Sequence, residues 1–355
     1  MPLAKPLLRS LVPAALIEAV SRYGGPAYRG RQVCQWAFIH GARTWSEMTN
    51  VPATLRTDLE TNWDLTGLEL LERQVSTDGT RKFLFRLRDD QTVESVIIPM
   101  REHATFCLST QVGCAMACRF CATARGGLVR DLDPGEIVEQ VIRLRLDLQS
   151  EPFAHHGGRE YNVVFMGMGE PLENWDAVRT GIDIMTDPAG LAMSPRRIQI
   201  STSGPAAGLR RLLADPPGVG LTLSLGGADD EARRHLMPVP GRTGVAEAVE
   251  LSAEYARLVG RRATLAWVLI AGTTDSPEQA TALASLLRNR PFKVNLIPMN
   301  PLDDSNLDRP DTERMAGFQQ ILQNAGVDSF VRDSGGRDIA AACGQLRRRR
   351  QDHSG

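Results

Sequence analysis

The sequence predicts an α/β protein, an open partial (βα)6 barrel preceded by a helical accessory module and a short β-rich linker. Three observations predict it. Residues 12 to 65 carry helical patterns without strands, two-residue periodicity takes over from 68 to 100, and from Thr105 onward strands alternate with helices, as in a parallel sheet with βα crossovers. The chain divides accordingly into 1–66, 67–100 and 101–355.

At 355 residues it can bury one large core and a smaller module. A composition of 42% hydrophobic and 23% charged residues is that of an ordinary enzyme, and a net charge of −1 gives no global attraction to nucleic acid, so any RNA contact must use local basic patches. No apolar run reaches the length of a membrane helix, and the N-terminus MPLAKPLLRSLVPAALIEAV lacks the order of a signal peptide, so a cytoplasmic protein with no membrane partner is expected. Six cysteines are too few for a disulfide scaffold in a chain this long, and a reducing compartment suits thiolate chemistry.

In the first module, Ala14 to Tyr23, Gly30 to His40 and Val51 to Asn62 carry helical patterns, the third with Pro52 near its start and Thr49-Asn50 as its cap. Cys34, among Val33, Trp36 and Ala37, reads as a small buried hydrophobe. LELLERQVS, TRKFLFRLRDD and TVESVIIPM then form a β-meander whose turns are Asp78-Gly79 and Asp89-Asp90. By itself, Glu94 within VESVII reads as a carboxylate on a solvated face.

Barrel strands are predicted at Thr105 to Gln111, Asn162 to Met168, Arg197 to Thr202, Gly220 to Leu225, Ala263 to Ile270 and Lys293 to Met299, with a shorter Ser329 to Arg332. Helices are predicted at Pro134 to Leu148, Trp175 to Met185, Gly244 to Leu258, Pro277 to Arg288 and Asp311 to Ala325. Six βα units do not close an eight-stranded barrel, and the ligand site of such a sheet lies at the C-terminal strand ends.

The unusual residues fall at those ends. After the first strand, CLSTQVGCAMACRFCATARGG places Cys114, Cys118 and Cys121 in a C-x3-C-x2-C pattern with no fourth Cys or His within several residues. Zinc normally takes four ligands, whereas an iron-sulfur cluster held by three thiolates keeps one iron open. A zinc knuckle completed from afar is the alternative. The second strand ends in Met166-Gly167-Met168-Gly169-Glu170-Pro171, a turn whose carboxylate can accept from an ammonium group, and later strands end in Ser201-Thr202-Ser203-Gly204, Ser224-Leu225-Gly226-Gly227 and Asn295 to Pro301. Each is weak alone; their common position makes a site.

VESVIIP, CLSTQVGCAMACRFCAT, NVVFMGMGEPLEN, SPRRIQISTSG, VNLIPMNP and DIAAACGQL together resemble the RlmN/Cfr family of radical SAM RNA methyltransferases over nearly the whole chain. The resemblance implies a radical SAM partial (βα)6 barrel, an N-terminal RNA-binding helical domain, a [4Fe-4S] cluster on Cys114, Cys118 and Cys121, and S-adenosyl-L-methionine (SAM), two per turnover, contacted by Gly169, Glu170, Ser201, Ser224, Leu225, Gly226 and Asn300. It further implies that Cys343 carries the methyl group as S-methylcysteine, that Cys107 forms a transient disulfide with it, and that Glu94 accepts a proton. Carbon 2 of adenine is electron-poor and cannot attack the methyl of SAM directly. The implied route therefore methylates Cys343 first, and a 5′-deoxyadenosyl radical from a second SAM then activates that methyl.

Within the family, Leu296-Ile297-Pro298 and the Glu-Pro of GMGEP look more like the branch that methylates carbon 2 of adenosine in 23S rRNA and tRNA than the Cfr branch acting at carbon 8. An RNA-binding Fe-S protein without chemistry would have no use for Glu94, Cys107 and Cys343 together. The chain departs from the family pattern at Gly226, where an imidazole is missing, in PLDDSNLDRP after Asn300, and at Arg337 and Ala340 in the last motif. A monomer served by a flavodoxin or ferredoxin electron donor is expected. For phosphate contacts the chain offers Arg196-Arg197, Arg210-Arg211, Arg233-Arg234, Arg261-Arg262 and the run Arg347 to Arg350.

Overall fold

Pro13, Ala27 and Ala53 each open a helix after a residue held in extended conformation. The computed structural model, which describes residues 5–154, 161–238, 243–302 and 305–347, begins with these helices: α1 (Pro13–Ser21), α2 (Ala27–Cys34) and α3 (Ala53–Asn62). The second expected helix starts earlier than its pattern suggested and continues as a π-helical turn, Gln35–His40, closed by Gly41 in the left-handed region. The third is not capped by Thr49-Asn50. Pro52 holds the N-cap position, and the Asn50 side chain instead accepts from Trp36 Nε1 at 2.7 Å.

The meander is as expected. Strands β1 (Leu68–Val75), β2 (Arg81–Leu87) and β3 (Thr92–Pro99) pair antiparallel, and β3 pairs antiparallel with β4 (Ala104–Cys107). The predicted strand Thr105 to Gln111, however, breaks after Cys107. Ser109 leaves the ladder because its N–H donates to Gln140 Oε1 and its hydroxyl to Glu94 O, and the chain resumes as β5 (Gln111–Gly113), paired across the cysteine loop with β6 (Leu128–Asp131). A single turn, α4 (Ala122–Arg125), follows Cys121.

Helix α5 (Pro134–Ser150) starts at a capping box in which Asp133 and Glu136 satisfy each other's backbone N–H groups. Then come β7 (Tyr161–Phe165), α6 (Trp175–Thr186), β8 (Ile198–Thr202), α7 (Ala206–Ala214), β9 (Gly220–Ser224), α8 (Asp230–Leu236) and α9 (Val245–Leu258). The last elements are β10 (Ala263–Leu269), α10 (Pro277–Leu287), β11 (Phe292–Pro298), α11 (Thr312–Asn324) and β12 (Ser329–Val331). Helices α7 and α8 went unforeseen; each is short, and α8 is rich in charge. The sheet runs β1-β2-β3-β4-β7-β8-β9-β10-β11-β12 and is parallel from β4 onward, without closing.

One core cluster joins the N-terminal helices, the meander and the first barrel strands; a second, around Trp267, fills the later half. Arg9 ties the helical module to α5. Fully buried, it donates to Ala37 O and Ala42 O and faces Glu139 at 3.3 Å. Along β8 and β11 burial alternates residue by residue, so Gln199, Ser201, Asn295 and Ile297 share the less covered face of the sheet.

Candidate active site

The loop after β5 carries the three cysteines of the C-x3-C-x2-C motif. Ala117 takes a left-handed conformation there, and Cys121 N–H donates to Cys118 O, which folds the loop back on itself. Burial pushes the Cys114 thiol up to about 12 and raises that of Cys118 as well, and the thiols act on one another: Cys121 raises both, and Cys114 raises Cys118. They face a shared space. Among the described residues no three His, Cys, Asp or Glu side chains gather as single-ion ligands.

The C-terminal segment folds across this loop as a strap. Ala122 N–H donates to Gly344 O at 2.7 Å and Thr123 Oγ1 to Leu346 O at 2.6 Å. Gly344 permits the approach, since a Cβ there would stand 2.8 Å from Phe120 O and its φ is +81°. The same strap is laced to the meander: Ser76 Oγ and Thr77 N–H donate to Asp338, Gly336 N–H donates to Asp78 at 2.8 Å, and Lys82 Nζ donates to Ala340 O at 3.2 Å.

Cys343 therefore stands between two sets of residues. By surface area it is exposed, yet the protein crowding its sulfur raises the thiol, an effect opposed by a hydrogen bond with Ser334. Asn300 Nδ2 fixes that arrangement by donating to Ser334 Oγ at 3.1 Å and to Cys343 O at 3.0 Å. On one side Cys343 senses Cys121; on the other its charge raises Cys107, which burial has already pushed well up. All six cysteines are free thiols.

Glu94 is not on a solvated face. It is fully buried, with Lys82 Nζ 3.4 Å from Oε1 and the Arg347 N–H donating to Oε2 at 2.9 Å. The pleat explains this: β3 is a central strand with both faces covered, so alternation no longer marks a wet side. Beside the strap a pocket of about 570 Å³ is lined by Gln74, Lys82, Arg337, Asp338, Gln345 and Arg347, among others.

At the ends of β7 to β11, Gly169 lies at positive φ and Glu170 is buried. The Glu170 carboxylate accepts from Leu172 N–H, Thr202 Oγ1 (2.6 Å) and Ser203 N–H (2.7 Å), and burial raises its pKa against these donors. Ser201 and Ser224 are half-buried. Leu225 sinks its side chain into the second core cluster, leaving only its backbone at the strand end. Among the described residues, Asn300 Oδ1 is buried without a hydrogen-bond partner, whereas the Ser203 hydroxyl lies within reach of the Glu170 carboxylate. Buried polar atoms are normally paired, so Asn300 Oδ1 fits a polar ligand such as SAM. At Gly226, a Cβ would run into the Met237 side chain, and φ is +75°, so the imidazole the family carries there has no room in this chain.

Lys82 and Ser334 were not singled out by the sequence, and Ser203 was read only as one of several strand-end polar groups. Arg233 was read only as half of an exposed arginine pair, but its side chain is buried. Arg210, Arg211 and Arg262 are committed to Glu247, Asp176 and Asp328. Of the terminal run, Arg347 is exposed and Arg348 to Arg350 lie outside the described residues.

An open parallel barrel with three thiols on its first βα loop and an unsatisfied polar atom, Asn300 Oδ1, just past a later strand has the makings of a radical SAM enzyme. Family models agree: the radical SAM superfamily matches residues 108–284, and the ribosomal RNA large subunit methyltransferase N-terminal domain matches residues 8–64. The chain is 42% identical over 344 residues to the probable dual-specificity RNA methyltransferase RlmN of Moorella thermoacetica, covering 96% of each chain. It is 41% identical over 331 residues to the dual-specificity RNA methyltransferase RlmN of Syntrophobacter fumaroxidans, covering 93% of this chain and 95% of that one. A crystal structure of a radical SAM methyltransferase from Sphaerobacter thermophilus superposes with a TM-score of 0.91 at 40% identity, covering 96% of this chain and 99% of that one. The chain belongs to the RlmN family and is a radical SAM RNA methyltransferase. Membership brings SAM and a [4Fe-4S] cluster, which the three thiols and the unpartnered Asn300 Oδ1 fit.

Proposed function

We propose that this enzyme methylates carbon 2 of adenosine in 23S rRNA and in tRNA, through S-methylcysteine at Cys343 and with two SAM molecules per turnover. The observation that carries the reading is the strap, which lays the segment of Cys343 across the cysteine loop, with Glu94 bonded to the same segment at Arg347. Binding RNA alone would require none of this.

In this reading Cys114, Cys118 and Cys121 hold the cluster, and Gly169, Glu170, Ser201, Ser224, Leu225, Gly226 and Asn300 form the SAM cradle. A cluster held by these thiolates and reduced by a flavodoxin or ferredoxin would supply the electron for cleaving a second SAM to a 5′-deoxyadenosyl radical. The remaining work falls to side chains. Cys343 must lose its proton to accept the first methyl, because the thiolate is the nucleophile, and the Ser334 bond favours that form. The methyl on Cys343 would give a hydrogen atom to that radical, forming 5′-deoxyadenosine, and the resulting carbon radical would bond to the adenine ring. Glu94 accepts the ring proton, with Lys82 beside it to carry the counter-charge. Cys107 attacks the sulfur of Cys343, the S–C bond breaks with its pair on carbon, which takes up a proton to become the product methyl, the odd electron of the adduct passes back to the bound cluster, and a disulfide is left for later reduction. The protein works as a cytoplasmic monomer, its helical domain 1–66 holding RNA, the linker 67–100 bearing Glu94 and the catalytic domain 101–355 bearing the cysteines.

Peptide mass spectrometry after incubation with SAM tests the first step. One added methylene on the Cys343 peptide supports the reading; an unmodified Cys343 in active enzyme would refute it.

A further inference from the structure

The side-chain amide of Gln140, on α5, stands where a strand would otherwise be. In the register of β3 and β4, Ile97 faces Phe106 and Val96 faces Cys107, so continuation of that pairing would set Ser109 opposite Glu94. The named pairing ends at Cys107. Ser109 N–H donates to Gln140 Oε1 at 2.8 Å and Ser109 O accepts from Gln140 Nε2 at 3.0 Å, so the amide takes the two bonds that a neighbouring strand would make. The Ser109 hydroxyl then bridges two other elements, donating to Glu94 O at 2.6 Å and accepting from Met168 N–H at 2.9 Å. Gln140 Oε1 also accepts from Ser95 Oγ at 2.7 Å, and Nε2 also donates to Glu136 O at 3.3 Å. Ser95, Ser109 and Gln140 are all fully buried. A buried amide whose donors and acceptor are all engaged specifies one geometry.

This joint lies between two groups that the later steps of the reaction use. Alternation along β3 puts Glu94 on the same face as Val96, and Cys107 opposes Val96, so Glu94 and Cys107 are diagonal neighbours on one face of the strand pair. In a regular pair such neighbours stand about 7–8 Å apart, and a slip of one residue would send a side chain to the other face. Ser109 follows Cys107 closely in the chain and holds the Glu94 carbonyl, so the joint sets both positions at once. The turn after β7, which carries Gly169 and Glu170, has further ties. Thr110 N–H and Gln111 N–H donate to Met168 O at 2.7 and 3.2 Å, and Glu170 N–H donates to Gln111 Oε1 at 2.8 Å. None of those bonds involves Gln140.

We propose that Gln140, acting through Ser109, is a positioning residue for Glu94 and Cys107, and that it serves proton removal and product release, not the methylation of Cys343. Methylation of Cys343 needs neither Glu94 nor Cys107. The later steps need both of them at one adduct. This role rests on the methyl-cysteine route.

The test uses full-length, anaerobically reconstituted protein in a single turnover with SAM, a reductant and unmethylated 23S rRNA. Mass spectrometry reads the methylated Cys343 peptide, and a denaturing gel reads RNA still covalently attached to protein. Gln140→Met, similar in size but without the amide, is expected to methylate Cys343 at the wild-type rate and to release RNA at least about tenfold more slowly, so that the protein–RNA adduct accumulates. Gln140→Glu keeps an acceptor oxygen for Ser109 N–H without the amide donor, and is expected to slow release less. A folded Gln140→Met that releases RNA at the wild-type rate would overturn the proposal. Equal slowing of both steps, the outcome of a purely structural amide, would do the same. Should Gln140→Met not fold, Gln140→Glu decides by the same two readings: slower release with Cys343 methylation kept supports the role, and wild-type rates or equal slowing contradict it. Wild-type enzyme that methylates RNA while Cys343 stays unmodified would remove the methyl-cysteine route itself.

Discussion

Replacing Lys82 by Met removes one partner of a buried ion pair that also holds the strap. Lys82 is 4% exposed and Glu94 fully buried, with 3.4 Å between the charges, and the ammonium also donates to Ala340 O. Truncating one partner of such a pair costs about 3–5 kcal/mol, because the remaining charge stays buried beside weaker donors. At roughly 2 cal/mol/K of unfolding entropy per residue, 355 residues give about 0.75 kcal/mol/K, so the loss reads as a fall in Tm of about 4–7 °C. Thermal melts of Lys82→Met, Glu94→Gln and the double variant supply the assay. The double variant, with no buried charge left, should recover most of the loss, whereas additive losses or a Tm drop under about 1 °C would refute the pairing. Methyl transfer should fall in Lys82→Met even below its Tm, since Ala340 and Cys343 share one strap.

Asp78→Ala should free the strap, because Asp78 holds Gly336 N–H; alkylation of Cys343 should accelerate severalfold, read by peptide mapping. Hydrogen bonds from Thr80 and Gly336 outweigh burial and keep the Asp78 pKa below its usual value, so its stabilisation is present above the unfolded value and is lost as pH falls through the folded one; the protection factors of amides in residues 335–346, corrected for intrinsic exchange, should fall on acidification, and pH-independent protection would contradict this. Burial raises Glu170 instead, so its contribution is present below the unfolded value and is lost as pH rises through the folded one; Glu170→Gln should flatten that dependence in melts while costing about 1–3 kcal/mol for the mismatched amide. All three cluster cysteines must lose a proton to bind iron, two of them, Cys114 and Cys118, against a burial that raises their thiols, so cluster affinity should rise by up to about a thousandfold per pH unit near neutrality, measured by chelator competition; a pH-independent affinity would contradict it. Gly226→His should destabilise the fold and be partly rescued by Met237→Ala, which opens the space the new side chain needs.

The cysteine loop and the strand-end residues were legible because their chemistry is carried by local spacing: C-x3-C-x2-C puts three thiols on one loop whatever surrounds it. The barrel strands were legible because each is bounded by turn residues and followed by a helical period. The break in the first strand was not, because Ser109 leaves the ladder for Gln140 and Glu94, partners 31 and 15 residues away. Glu94 misled for a related reason: a carboxylate on an apolar strand reads as wet until the covering layers are known. Arg233 and Lys82 were hidden within charge runs, where sequence cannot distinguish a solvated side chain from one drawn inward by carbonyls or a carboxylate. Ser334 acquires meaning only when Asn300 and Cys343 are brought beside it from 34 and 9 residues away.

The most direct measurement is mass spectrometry of nucleosides from rRNA and tRNA treated anaerobically with reconstituted enzyme, SAM and a reductant. The account predicts 2-methyladenosine from both RNAs, abolished in Cys343→Ala. An 8-methyladenosine product, or 2-methyladenosine that persists without Cys343, would contradict it.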